Sequence, residues 1–290
     1  MTDTKDLVSA NSNGYGISSK NTYTRINGQT DKLPAGQYSF FMDMSGNVHY
    51  ELSAYSSDKL FFEDEALPNR IMDEIKSWLD KREQYEKFGF MYKRAFMLHG
   101  PPGNGKTSLI IEISRLFAAM YDGITLRLKG NPQNLINAIK GIRETHPNRP
   151  VLVVIEEIDD VYLNWGGILL DVLDGGFDMS GVCFVATTNF LDKLDARIRS
   201  RPSRFDTIVE VVGPSKNTRK KYLKSLGVDT KQSEEIAKAS DGMSFAHLKE
   251  FVIASVILGQ SVSSVRDRLQ SMIDDKSDNP DSYDDDDNCD

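Results

Sequence analysis

The chain has 290 residues, 39% hydrophobic and 27% charged, enough apolar material for one large core or two ordinary ones. Its formal charge of −8 sits in one place: residues 274–290 hold nine aspartates against one lysine, and the rest is balanced. That balance argues against a globally basic nucleic-acid binder, and no apolar run is long enough to span a bilayer.

Residues 1–60 read as a polar arm followed by a β-hairpin extension. The arm, to about residue 34, is rich in Ser, Asn, Thr and Gly and is expected to be poorly ordered. It lacks the apolar stretch and cleavage pattern of a secretory signal, so the expected setting is cytoplasmic, with no membrane partner. In GQYSFFMDMSGNVHYELSAY, two aromatic-rich runs flank Ser45-Gly46-Asn47 and predict a hairpin. LPNRIMDEIKSWLDKREQYEKFG then places Ile71, Met72, Ile75, Trp78 and Leu79 on one face of a helix of about five turns.

Within residues 61–213 the runs AFMLH, ITLRL, VLVVI, VCFVATT and TIVEVV alternate with helical patterns. Near-continuous apolar strands alternating with helices predict an α/β fold, a parallel sheet covered by helices on both faces. Residues 214–273 are helical only, a small lid subdomain. Residues 274–290 cannot bury anything and repel themselves, an acidic tail expected to be disordered.

GPPGNGKT fits G-x-x-x-x-G-K-[ST] between a strand pattern and a helix pattern. In such a loop, Gly100, Pro101, Pro102, Gly103, Asn104 and Gly105 turn backbone N–H groups inward on phosphate oxygens. The helix opening at Lys106, Thr107 and Ser108 adds its free amides and positive dipole end. Lys106 would reach the β- and γ-phosphates, and the Thr107 hydroxyl would join a Mg²⁺ shell. A triphosphate site also needs carboxylates at a neighbouring strand end, and VLVVIEEIDD supplies them. Glu156 would hold Mg²⁺, and Glu157 would orient the attacking water. Asp159 and Asp160 read as helix-capping groups or as partners for an arginine across a subunit boundary. The histidines at 49, 99, 146 and 247 have no metal-ligand spacing, and two cysteines make no disulfide framework. ATP with Mg²⁺ is the only cofactor pair inferred.

With these motifs in hand, the chain resembles an AAA+ ATPase over about residues 62–260. VCFVATTNFLDKLD is similar to the family's sensor-1 strand, which implies that Asn189 lies beside the γ-phosphate and attacking water. ARIRSRPSRFD resembles the arginine-finger segment, implying that Arg204 and Arg201 reach a neighbouring subunit's phosphates. One extra residue and Ser203 in place of glycine leave Arg199 as a competitor. EIAKASDGMSFAHLKEF resembles the helical lid; Ile236 and Ala246 are placed beside the adenine, although packing alone accounts for them equally. Phe245 and Ala246 stand where a sensor-2 arginine would be. YEKFGFMYKRAFMLHGPPGNGKTSLI and ILLDVLDGGFDMSGVCFVATTNFLDKLD look most like the branch whose mitochondrial member assembles respiratory complex III, and its soluble relatives. That branch also carries Glu at the Glu156 position.

The resemblance implies ATP hydrolysis in a homo-oligomer, a hexameric ring whose pockets are completed in trans. LRLKGNPQNLINAIKGIRETHPNRPVLVV has no aromatic pore loop, so threading by that device is not expected. Tyr162 and Trp165 either grip a substrate or pack on a neighbouring helix or subunit. Three roles stay open: a motor remodelling or moving a protein, a nucleic-acid-linked motor or loader, and a nucleotide-switched assembly protein of low turnover. Charge favours a protein partner over nucleic acid.

Overall fold

The computed structural model describes residues 14–19, 21–26, 32–55 and 61–277. The chain divides into two compact units. The first takes the described residues of 1–60, 64–100 and 105–211, the second those of 61–63, 101–104 and 212–290.

The first unit is built on nine strands: β1 Gly14–Ser19, β2 Thr22–Ile26, β3 Gly36–Met42, β4 Val48–Ser53, β5 Lys93–His99, β6 Ile124–Arg127, β7 Val151–Ile155, β8 Val182–Thr188 and β9 Thr207–Glu210. They form one sheet in the order β1-β2-β4-β3-β6-β7-β8-β5-β9. From β3 through β9 every pairing is parallel, whereas β1, β2, β4 and β3 pair antiparallel. Each residue of β7 and β8 is buried, as continuous apolar strands covered on both faces must be. The helices are α1 Leu67–Leu79, α2 Arg82–Phe88, α3 Lys106–Tyr121, α4 Pro132–Thr145, α5 Ile158–Asp174 and the short α6 Ala196–Arg199. The expected α/β class is therefore the observed one.

The order reverses at β5, because α3 carries the chain from β5 to β6, past β8 and β7. Ligands bind outside the carboxyl ends of strands at such a reversal. The register pairs His99 with Thr188 and Ile155 with Ala186, so Gly100, Glu156 and Asn189 all leave the sheet at that end.

Two expectations change. Residues 14–26, read as part of a polar arm, carry β1 and β2. Low hydropathy hid the tyrosines: Tyr15, Tyr38 and Tyr50 are all 0% exposed. Tyr50 donates its hydroxyl to the Ala138 carbonyl of α4 at 2.7 Å, and the Tyr15 hydroxyl lies 2.9 Å from Thr145 Oγ1. Each ring supplies apolar area while its hydroxyl keeps a partner, so the N-terminal strands dock on α4. The five-turn helix is also two helices, α1 and α2, hinged at Asp80 and Lys81. The break lets Trp78 stack on Tyr92 at 4.6 Å while Tyr85 meets the same ring edge-on at 5.5 Å. The Tyr92 hydroxyl takes up the Leu79 carbonyl at 3.1 Å.

The second unit packs α7 Lys216–Ser225, α8 Thr230–Ala239, α9 Phe245–Phe251, a π-helical turn Val252–Ile257 and α10 Val262–Ser277. Its core is Leu223, Val228, Ile236, Ala237, Met243, Phe251, Ala254, Val265 and Leu269. Arg219 is buried and donates to the carbonyls of Ala237 and Pro214 and to Asp241. Helix α10 runs through Ser277, past the expected start of the acidic tail; residues 278–290 lie outside the described residues.

Candidate nucleotide site

Strand β5 ends at His99, and Gly100 turns the chain at φ 138°. A Cβ there would sit 2.4 Å from the Val211 carbonyl oxygen, so the residue after β9 leaves room for backbone alone. Gly105, at φ 92°, is the N-cap of α3 and brings no side chain to cap it. A sixteen-residue helix thus opens on uncapped backbone amides, the electropositive end of its dipole. Lys106, the first helical residue, is only 8% exposed and donates to the Gly100 carbonyl at 2.6 Å. Burial lowers its pKa, and Glu157 opposes that shift. Thr107 is exposed beside it and Ser108 half-buried.

The stretch Pro101–Asn104 clusters with the second unit. There the Gly103 carbonyl accepts from the Ala246 N–H at 3.2 Å, and a Cβ on Gly103 would meet Ser244 Oγ at 2.6 Å. Asn104 is buried with its Oδ1 lacking a hydrogen-bond partner, a polar atom whose donor has yet to be supplied. Ile236, read as an adenine neighbour, is 0% exposed and packs inside the helical core.

The carboxylates follow β7. Glu157 is the N-cap of α5 and a non-glycine residue at φ 50°, ψ 60°, a left-handed geometry that costs energy and needs support. Thr187 provides it, its Oγ1 accepting the Glu157 N–H at 3.0 Å. The next residue, Thr188, donates its hydroxyl to Asp159 Oδ2 at 2.7 Å and accepts the Phe190 N–H at 3.0 Å. Asn189 stands half-buried between these anchored neighbours. Glu156 is held differently: Arg127, the last residue of β6, donates Nη2 to its Oε2.

A strand-to-helix phosphate loop with a buried lysine, next to two carboxylates at a sheet reversal, can be matched to known families. Residues 96–212 match the family described as "ATPase family associated with various cellular activities (AAA)". Over those residues the chain is similar to the AAA family. Among its relatives is the proteasome-activating nucleotidase of Aeropyrum pernix, 30% identical over 230 residues, covering 67% of this chain and 54% of that one. The ATP-dependent zinc metalloprotease FtsH 2 of Thermoanaerobacter sp. is 27% identical over 235 residues, covering 72% and 45%. An "AAA ATPase forming ring-shaped complexes" from Bifidobacterium animalis subsp. lactis is 29% identical over 172 residues, covering 50% and 32%. The chain thus spans about half the length, or less, of these relatives. Among the described residues no helix is long and apolar enough to cross a membrane.

The three arginines read as finger candidates, Arg199, Arg201 and Arg204, differ in setting. Arg204, expected to reach a neighbouring subunit, is 4% exposed and turned inward. Its Nε and Nη2 meet Asp174 Oδ1 and Oδ2 at 2.8 and 2.6 Å, and Nη1 donates to the Arg197 carbonyl. Every guanidinium nitrogen is engaged within its own chain. The Arg201 side chain is 60% exposed and only 3.6 Å from Asp174 Oδ2; Arg199 is 3.6 Å from the exposed Asp192. Beneath them the buried Lys93 donates to the Ser203 carbonyl at 2.7 Å and to that of Leu173. Its pKa is lowered by burial, against the opposing pull of Asp206 and Asp174.

Tyr162 is committed within its own chain, donating to Asp195 Oδ2 at 2.6 Å under the Arg197 guanidinium. Trp165 sits at a non-helical kink in α5 and is partly exposed, next to the exposed Leu163. Thr187, Thr188, Asp174, Lys93 and Arg127 were missed by sequence reasoning. The threonine pair had a signal, since two hydroxyls ending a wholly apolar strand must find partners.

Proposed function

We propose that the chain is an ATPase that works as a homo-oligomeric ring, a hexamer, and remodels or moves a protein partner. The observation that carries this reading is Lys106, buried at the head of an uncapped helix and feeling the charge of Glu157, which is held left-handed after β7. Lys106 and the first amides of α3 bind the β- and γ-phosphates. Glu157 orients water in line with the γ-phosphate, and Asn189 holds that water from the sensor strand. Arg201 of a neighbouring copy stabilises charge spreading over the phosphate, with Arg199 as the alternative. Thr107 and Glu156 would hold Mg²⁺; the residues fit, because Glu156 already draws a cationic group to its carboxylate. When bound, the ion would neutralise charge on the phosphate oxygens.

The names of the relatives, a proteasome-activating nucleotidase and an ATPase forming ring-shaped complexes, support a ring with a protein partner. Glu156 in the usual Asp position supports placement near the branch of the complex III assembly ATPase and its soluble relatives. A cytoplasmic setting is supported by Cys183, a buried free thiol whose pKa burial pushes up.

Phosphate release measured across a dilution series tests this reading. The rate per chain should climb with concentration until rings saturate, and Lys106→Ala should abolish it. A strictly monomeric species with full turnover at every dilution would overturn it.

A further inference from the structure

Glu156 and Glu157 each face a different cation of this chain. The charge of Glu157 acts on Lys106, and Arg127 is hydrogen-bonded to Glu156. Arg127 and Glu156 sit at the carboxyl ends of the adjacent parallel strands β6 and β7, with their side chains 28% and 22% exposed. The pair is half-sheltered, so solvent screens it less than a surface pair. A guanidinium keeps its charge at any accessible pH and cannot yield by losing a proton. A divalent cation taken up by Glu156 would stand within a few ångströms of it, and like charges at that range repel strongly.

We propose that Arg127 is a built-in counter-cation that occupies Glu156 until a divalent ion displaces it, and so sets how tightly the ion binds. This rests on the nucleotide reading above. Displacement falls to the side chain. Backbone movement is blocked, because Leu128 is buried and its N–H is bonded to the Val154 carbonyl at 2.8 Å. The side chain is left to move, next to the exposed Lys129 and Gly130 of the turn into α4. Gly130 lies at φ 84° and Asn131 caps the helix by accepting from Gln133 N–H. Metal occupancy thus becomes a change of surface charge at the loop after β6.

The test is Mn²⁺ affinity, read by electron paramagnetic resonance on full-length chain saturated with a non-hydrolysable ATP analogue. Arg127→Gln should bind Mn²⁺ about tenfold more tightly, and Glu156→Gln more weakly, than the parent chain. The double variant should bind no better than Glu156→Gln alone. An affinity unchanged or weakened in Arg127→Gln overturns the proposal. Should that variant not fold, the guanidinium resonance of Arg127 in the parent chain, followed by NMR as Mg²⁺ is added to the analogue complex, decides. A shifted signal supports displacement and an unmoved one refutes it. Fluorescent-nucleotide binding in excess Mg²⁺ separates the two readings: no binding sinks the ATPase proposal, whereas binding with Mn²⁺ affinity unaltered by Arg127→Gln sinks only this one.

Discussion

Arg204 and Asp174 close a two-pronged ion pair inside a single chain, with contacts of 2.8 and 2.6 Å. Helix α5 ends at Asp174, so the pair ties the segment carrying Arg199 and Arg201 to the helix capped by Glu157. Hydrogen bonds from Arg204 hold the Asp174 carboxyl below the usual aspartate range. A depressed carboxyl pKa adds stability above its unfolded value and loses it as pH falls through the folded one. Asp174→Asn should therefore flatten the acid limb of the stability curve, checked by thermal melts from neutral pH down to about pH 3. If Arg204 positions the segment that carries Arg201, Asp174→Asn should also lower turnover with nucleotide affinity kept, and the swapped pair Asp174→Arg with Arg204→Asp should recover part of it. A gain in turnover from Asp174→Asn would restore Arg204 as the group acting in trans.

Glu157→Gln keeps the shape of the site and removes the base. Turnover should fall roughly hundredfold or more while nucleotide binding and ring assembly persist. Phosphate release alongside sedimentation in ATP measures both. Unimpaired turnover would remove Glu157 from its assigned role.

Thr187→Val is nearly isosteric and leaves the Glu157 N–H without its acceptor. A loss of about 1 kcal/mol in stability is expected from that one hydrogen bond. Turnover should drop by a larger factor than nucleotide affinity, because the bond fixes the direction of Glu157. Thr187→Ser, which keeps the hydroxyl, should restore both. Equal kinetics in the valine and serine variants would make Thr187 a packing residue only.

Gly100→Ala forces a side chain into a left-handed backbone and against the Val211 carbonyl, 2.4 Å from where its Cβ would lie. Loss of nucleotide binding with destabilisation of about 1–3 kcal/mol is expected, measured by denaturant unfolding. Gly46→Ala, in the open hairpin turn, carries a positive φ of 82° but meets nothing within 4 Å and separates backbone strain from the clash.

What the sequence made legible follows from where single residues carry enough physics. The phosphate loop is legible because its glycines and Lys106 answer one local demand, and β7 and β8 because buried strands need unbroken apolar runs. Helix α1 was legible by its period, yet its end was not, since the break at Asp80 answers Tyr92, a residue beyond the helix. The N-terminal strands were hidden because their anchors are scattered tyrosines rather than an apolar pattern. Arg204 shows the sharper limit. A motif says that an arginine stands at a position; only the fold shows that Asp174 has already engaged it. Arg127 gave no sign at all, because its partner is on the adjacent strand, 29 residues away.

Strand β3 pairs with β6 through Gly36↔Ile124, Gln37↔Thr125 and Tyr38↔Leu126. On the ribosome, the earliest-made strands must therefore wait until the phosphate loop and α3 have emerged before their docking edge exists. A nascent chain halted before residue 124 would hold an orphaned hairpin, and a chain trimmed to begin at residue 61 would bare β6 as an unshielded edge open to stray pairing. Strands β1 to β4 thus serve as a cover that the nucleotide-binding sheet carries for itself, made before β6 and seated after it.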